Sequence, residues 1–197
     1  PIGGLFAAAG LLAALWRVAS TGDGGGEEID VSMTESMFRL LEFLPIEYDQ
    51  LGTVRQRCGN ANPYSAPARV YRTADERFVS LAGSTQAVFE ANARAIGRED
   101  LIGHPDFRTN ADRVRHAARI DSIFVDWIAR HTCDEVLAAF DAAGGAIAPV
   151  YSIAQIFKDP QFRHRETIVR VPDEDFGEVA MPNVVPRFRH ARGAVRW

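Results

Sequence analysis

Side chains able to do chemistry are spread thinly through these 197 residues. The five histidines, His104, His116, His131, His164 and His190, show neither H-x-x-x-H nor H-E-x-x-H spacing, so no metal site is expected from them. Cys58 and Cys133 lack any C-x-x-C or Cys/His pattern, which predicts free thiols in a reducing compartment. The glycines within residues 21–28 are not a phosphate loop: no Gly-Lys-Ser/Thr follows, and G-x-G-x-x-G spacing and a preceding strand are both missing. Asp112, Arg113 and His116 share one helix face, where a surface salt bridge is the default. Asp75 reads as a hairpin corner, and His104 and His131 have no carboxylate partner in view.

The elements that must position such groups follow from pattern. A hydrophobic content of 47% allows a real core, and a net charge of −4 gives no basic field for nucleic acid. Residues 1–16 are almost wholly apolar, and Val18-Ala19-Ser20 resembles a leader cleavage site. No basic residue precedes the run, however, and it is shorter than the roughly 20 residues that span a bilayer, so no membrane role is expected. A helix over 5–19, apolar on every side, should instead be enclosed by protein, with Gly3, Gly4 and Gly10 permitting close backbone approach.

Residues 29–31 then read as a short strand, and 34–44 as a helix stopping before Pro45. The polar stretch 50–68, rich in Gly, Asn and Pro, marks a domain crossing or a functional loop. Residues 69–72 and 78–82 predict a hairpin, and 85–96 a helix ended by Gly97. A long amphipathic helix is expected over 111–130. Thr132-Cys133-Asp134-Glu135 is a capping box opening a helix that ends near Gly144. Ser152-Ile153-Ala154-Gln155 is a second box, opening a helix that Pro160 should terminate, and 167–171 and 178–181 are β-prone.

Several segments, in this order, resemble the family III CoA-transferases, the group that includes formyl-CoA and carnitine CoA-transferases and the acyl-CoA racemases. They are Gly10-Leu11-Leu12-Ala13-Ala14-Leu15 with Thr21-Gly22, Ile29-Asp30-Val31-Ser32-Met33, and Tyr71-Arg72-Thr73-Ala74-Asp75. Further along come Asn110-Ala111-Asp112-Arg113, Ala148-Pro149-Val150-Tyr151-Ser152, Asp159-Pro160-Gln161-Phe162, and Met181-Pro182 with Pro186. Each is weak alone, and their shared order carries the resemblance. It implies an α/β fold with an α+β small domain. Residues 1–50 would be crossover helices of a Rossmann-like large domain, 51–65 a linker or lid loop, 66–172 the small domain, and 173–197 the return to the large domain. It also implies an interlocked homodimer in the cytoplasm, with the CoA thioester as substrate and no further cofactor.

In that family an aspartate carboxylate takes the acyl group and then CoA, giving an enzyme-bound thioester that an acceptor acid resolves. The resemblance places this aspartate just ahead of Pro1, and a closing Gly-Glu-His-Thr type motif beyond Trp197, so the sequence is expected to be either a fragment of a longer chain or a gene product lacking the active half. Gly3 and Gly4 would then offer N–H groups at a helix N-terminus, beside the reading of them as packing glycines. Met33 would line the pantetheine arm, or fill a core. Gly59 and Asn60, in Arg57-Cys58-Gly59-Asn60, would belong to a loop folding over the thioester, or to a plain linker. Two alternatives stand beside the transferase: an acyl-CoA racemase, and a non-catalytic CoA-binding or dimerisation module. The racemase branch carries a glutamate where Gln86 stands here, and an amide cannot act as its acid or base.

Overall fold

In a computed structural model describing residues 1–22 and 24–195, the chain separates into two units, Pro1–Arg57 and Cys58–Trp197. Asp23 of the expected glycine turn and the last two residues of the expected return segment lie outside the described residues.

The first unit is helical. Helix α1 runs Ile2–Thr21 and ends at Gly22, whose φ of 69° lets its N–H return to the Val18 carbonyl. At 20 residues it is long and apolar enough to cross a membrane by length and composition, so the sequence argument from length fails: the helix continues past Trp16 to Thr21. The expected enclosure is not met within the unit either. Leu5, Leu12 and Trp16 are 71%, 66% and 74% exposed, because only the Gly3 and Gly10 side of the helix meets protein. A Cβ on Gly10 would lie 3.3 Å from Ile29 Cγ2, and Arg17 pairs with Glu27 at 2.9 Å. Residues 29–31 form no strand, since the first unit has, among the described residues, no strand to ladder with.

The helix expected over 34–44 is divided. Helix α2 is Met33–Arg39, opened by Ser32, whose hydroxyl accepts from the Glu35 N–H; helix α3 is Leu44–Leu51. Pro45 starts α3 rather than stopping a helix, because a first-turn residue has no intrahelical use for an N–H. Helix α3 ends at Gly52, with φ 65°.

The second unit is built around a small antiparallel sheet. Strands β1 (Arg69–Arg72) and β2 (Phe78–Leu81) pair from Arg69↔Leu81 to Arg72↔Phe78, as the hairpin pattern predicts. Helix α4 (Gln86–Ala95) follows, capped by Thr85, with Gly97 beyond it at φ 67°. The expected long helix is two, α5 (Asn110–Arg115) and α6 (Ala117–Ile128). They part at His116, whose ring nitrogen lies 3.0 Å from the Asp112 carbonyl and intrudes on the helix's own ladder.

Helix α7 (Cys133–Ala143) opens with the Thr132/Glu135 box and ends at Gly144, with φ 68°. Strand β3 (Ile147–Pro149) joins the far side of β2, leaving β1 at the sheet edge. The core lies between this sheet and helices α4, α6 and α7, where Phe89, Phe107, Phe124 and Phe140 are fully buried.

Helix α8 (Ile153–Ile156) opens with the Ser152/Gln155 box, and α9 (Pro160–His164) begins at Pro160. Here too proline is an initiator: Asp159 Oδ1 accepts from the Gln161 and Phe162 N–H groups at 2.8 and 3.0 Å. Strands β4 (Ile168–Asp173) and β5 (Gly177–Pro182) form a separate hairpin.

The capping boxes make acid stability testable. Hydrogen bonds from the Thr132 backbone and hydroxyl hold the Glu135 carboxyl below its ordinary pKa. A carboxylate whose folded pKa is depressed stabilises fully above its unfolded pKa, about 4.3, and loses that contribution as pH falls through the folded value. The deficit of Glu135→Gln in urea denaturation is therefore expected to be present at pH 7 and to shrink toward pH 3. An equal deficit at both pH values would contradict this. The Ser152/Gln155 box has no titrating member and serves as the internal contrast.

Candidate functional site

Three of the five residues singled out in the sequence lie in the first unit. Helix α1 starts at Ile2, so Gly3 and Gly4 both lie in its first turn. A Cβ on Gly3 would lie 3.7 Å from Met33 Cγ and 3.9 Å from Ser36 Oγ, so Gly3 is where α2 approaches α1. A Cβ on Gly4 would meet nothing within 4 Å. Met33 opens α2 and is 81% exposed, so within this unit it fills no core. The structure thus brings Gly3 and the soft thioether of Met33 together where α2 approaches α1.

Gly59 and Asn60 lie in the second unit. Gly59 has φ 61° and open space around it. Asn60 is already employed: its Nδ2 donates to the Val70 carbonyl at 2.6 Å and its Oδ1 accepts from the Val70 N–H at 3.0 Å. The carboxamide acts as a one-residue strand against the edge strand β1. Asn110 Nδ2 donates to the Tyr64 carbonyl at 2.8 Å, so the loop is fixed at a second point. The loop's foot is anchored, and Gly59 is its conformationally permissive residue.

Arg113 is the residue that sequence reasoning placed wrongly. It is not on a surface salt bridge but fully buried. Its Nε donates to the Ala66 carbonyl at 2.8 Å, and Nη1 to Gln86 Oε1 at 2.8 Å and the Phe107 carbonyl at 3.2 Å. Nη2 donates to the Gly83 carbonyl at 3.2 Å and more weakly to that of Ser84, and the guanidinium lies 4.3 Å from the Phe89 ring centroid. Burial pulls its pKa down, while the Asp112 charge opposes that shift. Asp112 itself closes the Thr109 capping box and pairs with Arg115 at 2.8 Å. The only sequence signal for Arg113 is its place in the Asn110-Ala111-Asp112-Arg113 run. Gln86 is therefore engaged by its amide oxygen in holding Arg113.

A second polar group joins β1 to α6. The buried Tyr71 hydroxyl donates to Asp121 Oδ1 at 3.0 Å, and Arg69 Nη1 donates to Asp121 Oδ2 at 3.2 Å. Burial, then the Asp121 charge, pushes the Tyr71 hydroxyl far above its ordinary pKa. Asp75 is the expected corner and more: it accepts from the Thr73 hydroxyl at 2.6 Å and from the Cys133 N–H at 3.0 Å, tying the hairpin to α7. His104 Nδ1 accepts from the Asp106 N–H at 3.1 Å, and His131 stacks on Trp127 at 4.0 Å between ring centroids. Cys58 is exposed, Cys133 is buried, and both are free. Among the described residues no group of three or more His, Cys, Asp or Glu could hold a metal ion.

Residues 1–197 match CoA-transferase family III. The chain belongs to that family. Its match includes α1, whose apolar length therefore falls within the family's own sequence. The succinyl-CoA–D-citramalate CoA-transferase of Chloroflexus aurantiacus is 33% identical over 192 residues, covering 98% of this chain and 47% of that protein. The beta subunit of the succinyl-CoA–L-malate CoA-transferase of the same organism is 33% identical over 195 residues, covering 98% and 48%. A CaiB/BaiF family protein from Brucella suis aligns in structure with a TM-score of 0.73 at 25% identity, covering 97% of this chain and 48% of that one. The family III chain thus spans about half the length of the relatives it matches. The mixed α/β architecture with small sheets is that of this structural relative.

Proposed function

We propose that the protein containing this chain transfers coenzyme A between carboxylic acids through an aspartyl-CoA thioester. The observation that carries the reading is the alignment of 98% of this chain with relatives named as CoA-transferases. On this reading the nucleophilic aspartate precedes Pro1 and enters α1 from its N-terminal end. The first-turn N–H groups at Gly3 and Gly4 stabilise the carboxylate and the oxyanion that forms when it is acylated, with the helix dipole adding to the effect. Met33 lies along the pantetheine arm, and Gly59 gives its own loop the conformational freedom that a lid requires.

Coenzyme A enters as substrate, with no further cofactor. The protein acts as an interlocked homodimer in the cytoplasm, a setting that suits two free cysteines. The amide of Gln86 cannot act as the racemase's acid or base, which supports the transferase over the racemase. The relatives' names make succinyl-CoA the first donor to try.

The full-length protein incubated with succinyl-CoA is expected to gain a covalent CoA adduct by intact-mass spectrometry and to pass CoA to a second acid. Alanine in place of the aspartate ahead of Pro1 should abolish both. Undiminished exchange in that variant would overturn the covalent mechanism. Isomerisation of a branched acyl-CoA without any exchange would overturn the transferase reading itself.

A further inference from the structure

Arg187, Arg189 and Arg192 lie within six residues of one another in a chain whose net charge is −4. Arg187, Arg189 and Arg192 line one cavity of about 240 Å³. None of the three has a hydrogen-bond or ion-pair partner among the described residues. One acidic residue, Glu166, shares the lining with the three arginines. Like charges gathered with so little opposition raise the local positive potential, which a bound anion relieves.

The cavity wall is fixed by backbone contacts rather than by the arginines themselves. Asn183 donates its N–H to the Thr167 carbonyl at 2.9 Å and its Nδ2 to the Glu166 carbonyl at 2.8 Å, while its Oδ1 accepts from the Val184 N–H at 2.8 Å. Gly193 closes the loop against Val184 so tightly that a Cβ there would lie 2.6 Å from Val184 Cγ1. The returning chain fits only without a side chain at that position.

Size narrows the ligand. Pockets that enclose a whole small molecule hold about 300–1,000 Å³, and this one is smaller, so it suits a single anionic group. Guanidinium forks match the oxygens of phosphate and carboxylate alike. Three forks can serve the three terminal oxygens and double charge of a phosphomonoester, whereas a carboxylate offers two oxygens and one charge. We propose that the cavity lined by Arg187, Arg189 and Arg192 binds a phosphomonoester dianion. Its source is either the terminal phosphate of a nucleotide-bearing molecule such as coenzyme A or free phosphate. The site does not depend on the CoA-transfer reading, because its binding can be measured without turnover.

The test is isothermal titration of the full-length protein and of an Arg189→Gln/Arg192→Gln variant with inorganic phosphate, succinate, CoA and dephospho-CoA. Both side chains are exposed, so the exchange leaves the core intact. Phosphate is expected to bind the wild type more tightly than succinate does, and on the order of tenfold or more weaker in the variant. A preference for CoA over dephospho-CoA that disappears in the variant assigns the site to the CoA phosphate. Equal affinity for the two, with phosphate binding still lost, assigns it to free phosphate. Absence of phosphate binding in the wild type, or phosphate affinity unchanged by the double substitution, would overturn the proposal.

Discussion

Arg113→Leu is expected to cost the second unit about 3–5 kcal/mol, the range in which breaking a buried charged network falls. The side chain is fully buried, and its donors serve the carbonyls of Ala66, Gly83, Ser84 and Phe107 as well as Gln86 Oε1. These acceptors come from the loop before β1, the β2–α4 connection and the turn before α5, so one guanidinium joins three segments distant in sequence. Leucine fills part of the volume and leaves those oxygens buried without their donors. Arg113→Lys keeps the charge but replaces a planar fork by a single ammonium, so it should recover only part of the loss.

Urea denaturation of the full-length protein, followed by hydrogen exchange at the Phe89, Phe107 and Phe124 amides, gives the measurement. A leucine variant within about 1 kcal/mol of wild type would show that the buried carbonyls find other partners.

What the sequence disclosed about this fold divides by the range of the interactions involved. The β1–β2 hairpin, the Thr132/Glu135 and Ser152/Gln155 boxes, and the glycines at 97 and 144 are settled within a few residues of chain, and each stands where pattern placed it. Pro45 and Pro160 were read as stops because proline breaks a helix interior, yet the same missing N–H suits a first turn, and Asp159 just before Pro160 was the local cue. Arg113 was misplaced because helical spacing gives its face, while its actual partners lie up to 47 residues away and, apart from Gln86, are backbone carbonyls with no sequence signature.

For the candidate site, the contrast between Gly3 and Gly4 could not have been read at all. Two adjacent glycines in one helix differ only in whether Met33 and Ser36 come near. Asn60 likewise carried the right residue type for a loop, but its engagement with Val70 needed the edge of the sheet to be located first.

Asn92 provides the second large effect, by the same logic of a buried polar side chain completing backbone that secondary structure leaves open. The β2–β3 ladder ends at Leu81↔Ile147, and one more backbone bond, from the Ala82 N–H to the Ala146 carbonyl at 3.1 Å, follows it. Beyond that the Ala82 carbonyl and the Ala146 N–H have no strand partner. Asn92, fully buried on α4, supplies both: its Nδ2 donates to the Ala82 carbonyl at 2.8 Å and its Oδ1 accepts from the Ala146 N–H at 2.9 Å. The fit is close, since a Cβ on Gly145 would lie 2.7 Å from Asn92 Oδ1 and 2.9 Å from Phe140 Cδ1. Asn92→Leu removes the side-chain partner of two part-buried backbone groups and is expected to destabilise by about 1–3 kcal/mol.

Asn92→Asp separates the two bonds. The carboxylate can still accept from Ala146 but faces the Ala82 carbonyl with no proton to give, so burial and that carbonyl raise its pKa. A raised folded pKa means the folded state gains protons relative to the unfolded chain, so the deficit of Asn92→Asp against wild type should narrow as pH falls from 7 toward 5, while that of Asn92→Leu stays constant. Urea denaturation across that range tests both. A deficit of Asn92→Asp that does not change with pH would mean that the donor to Ala82 is not what the unit feels.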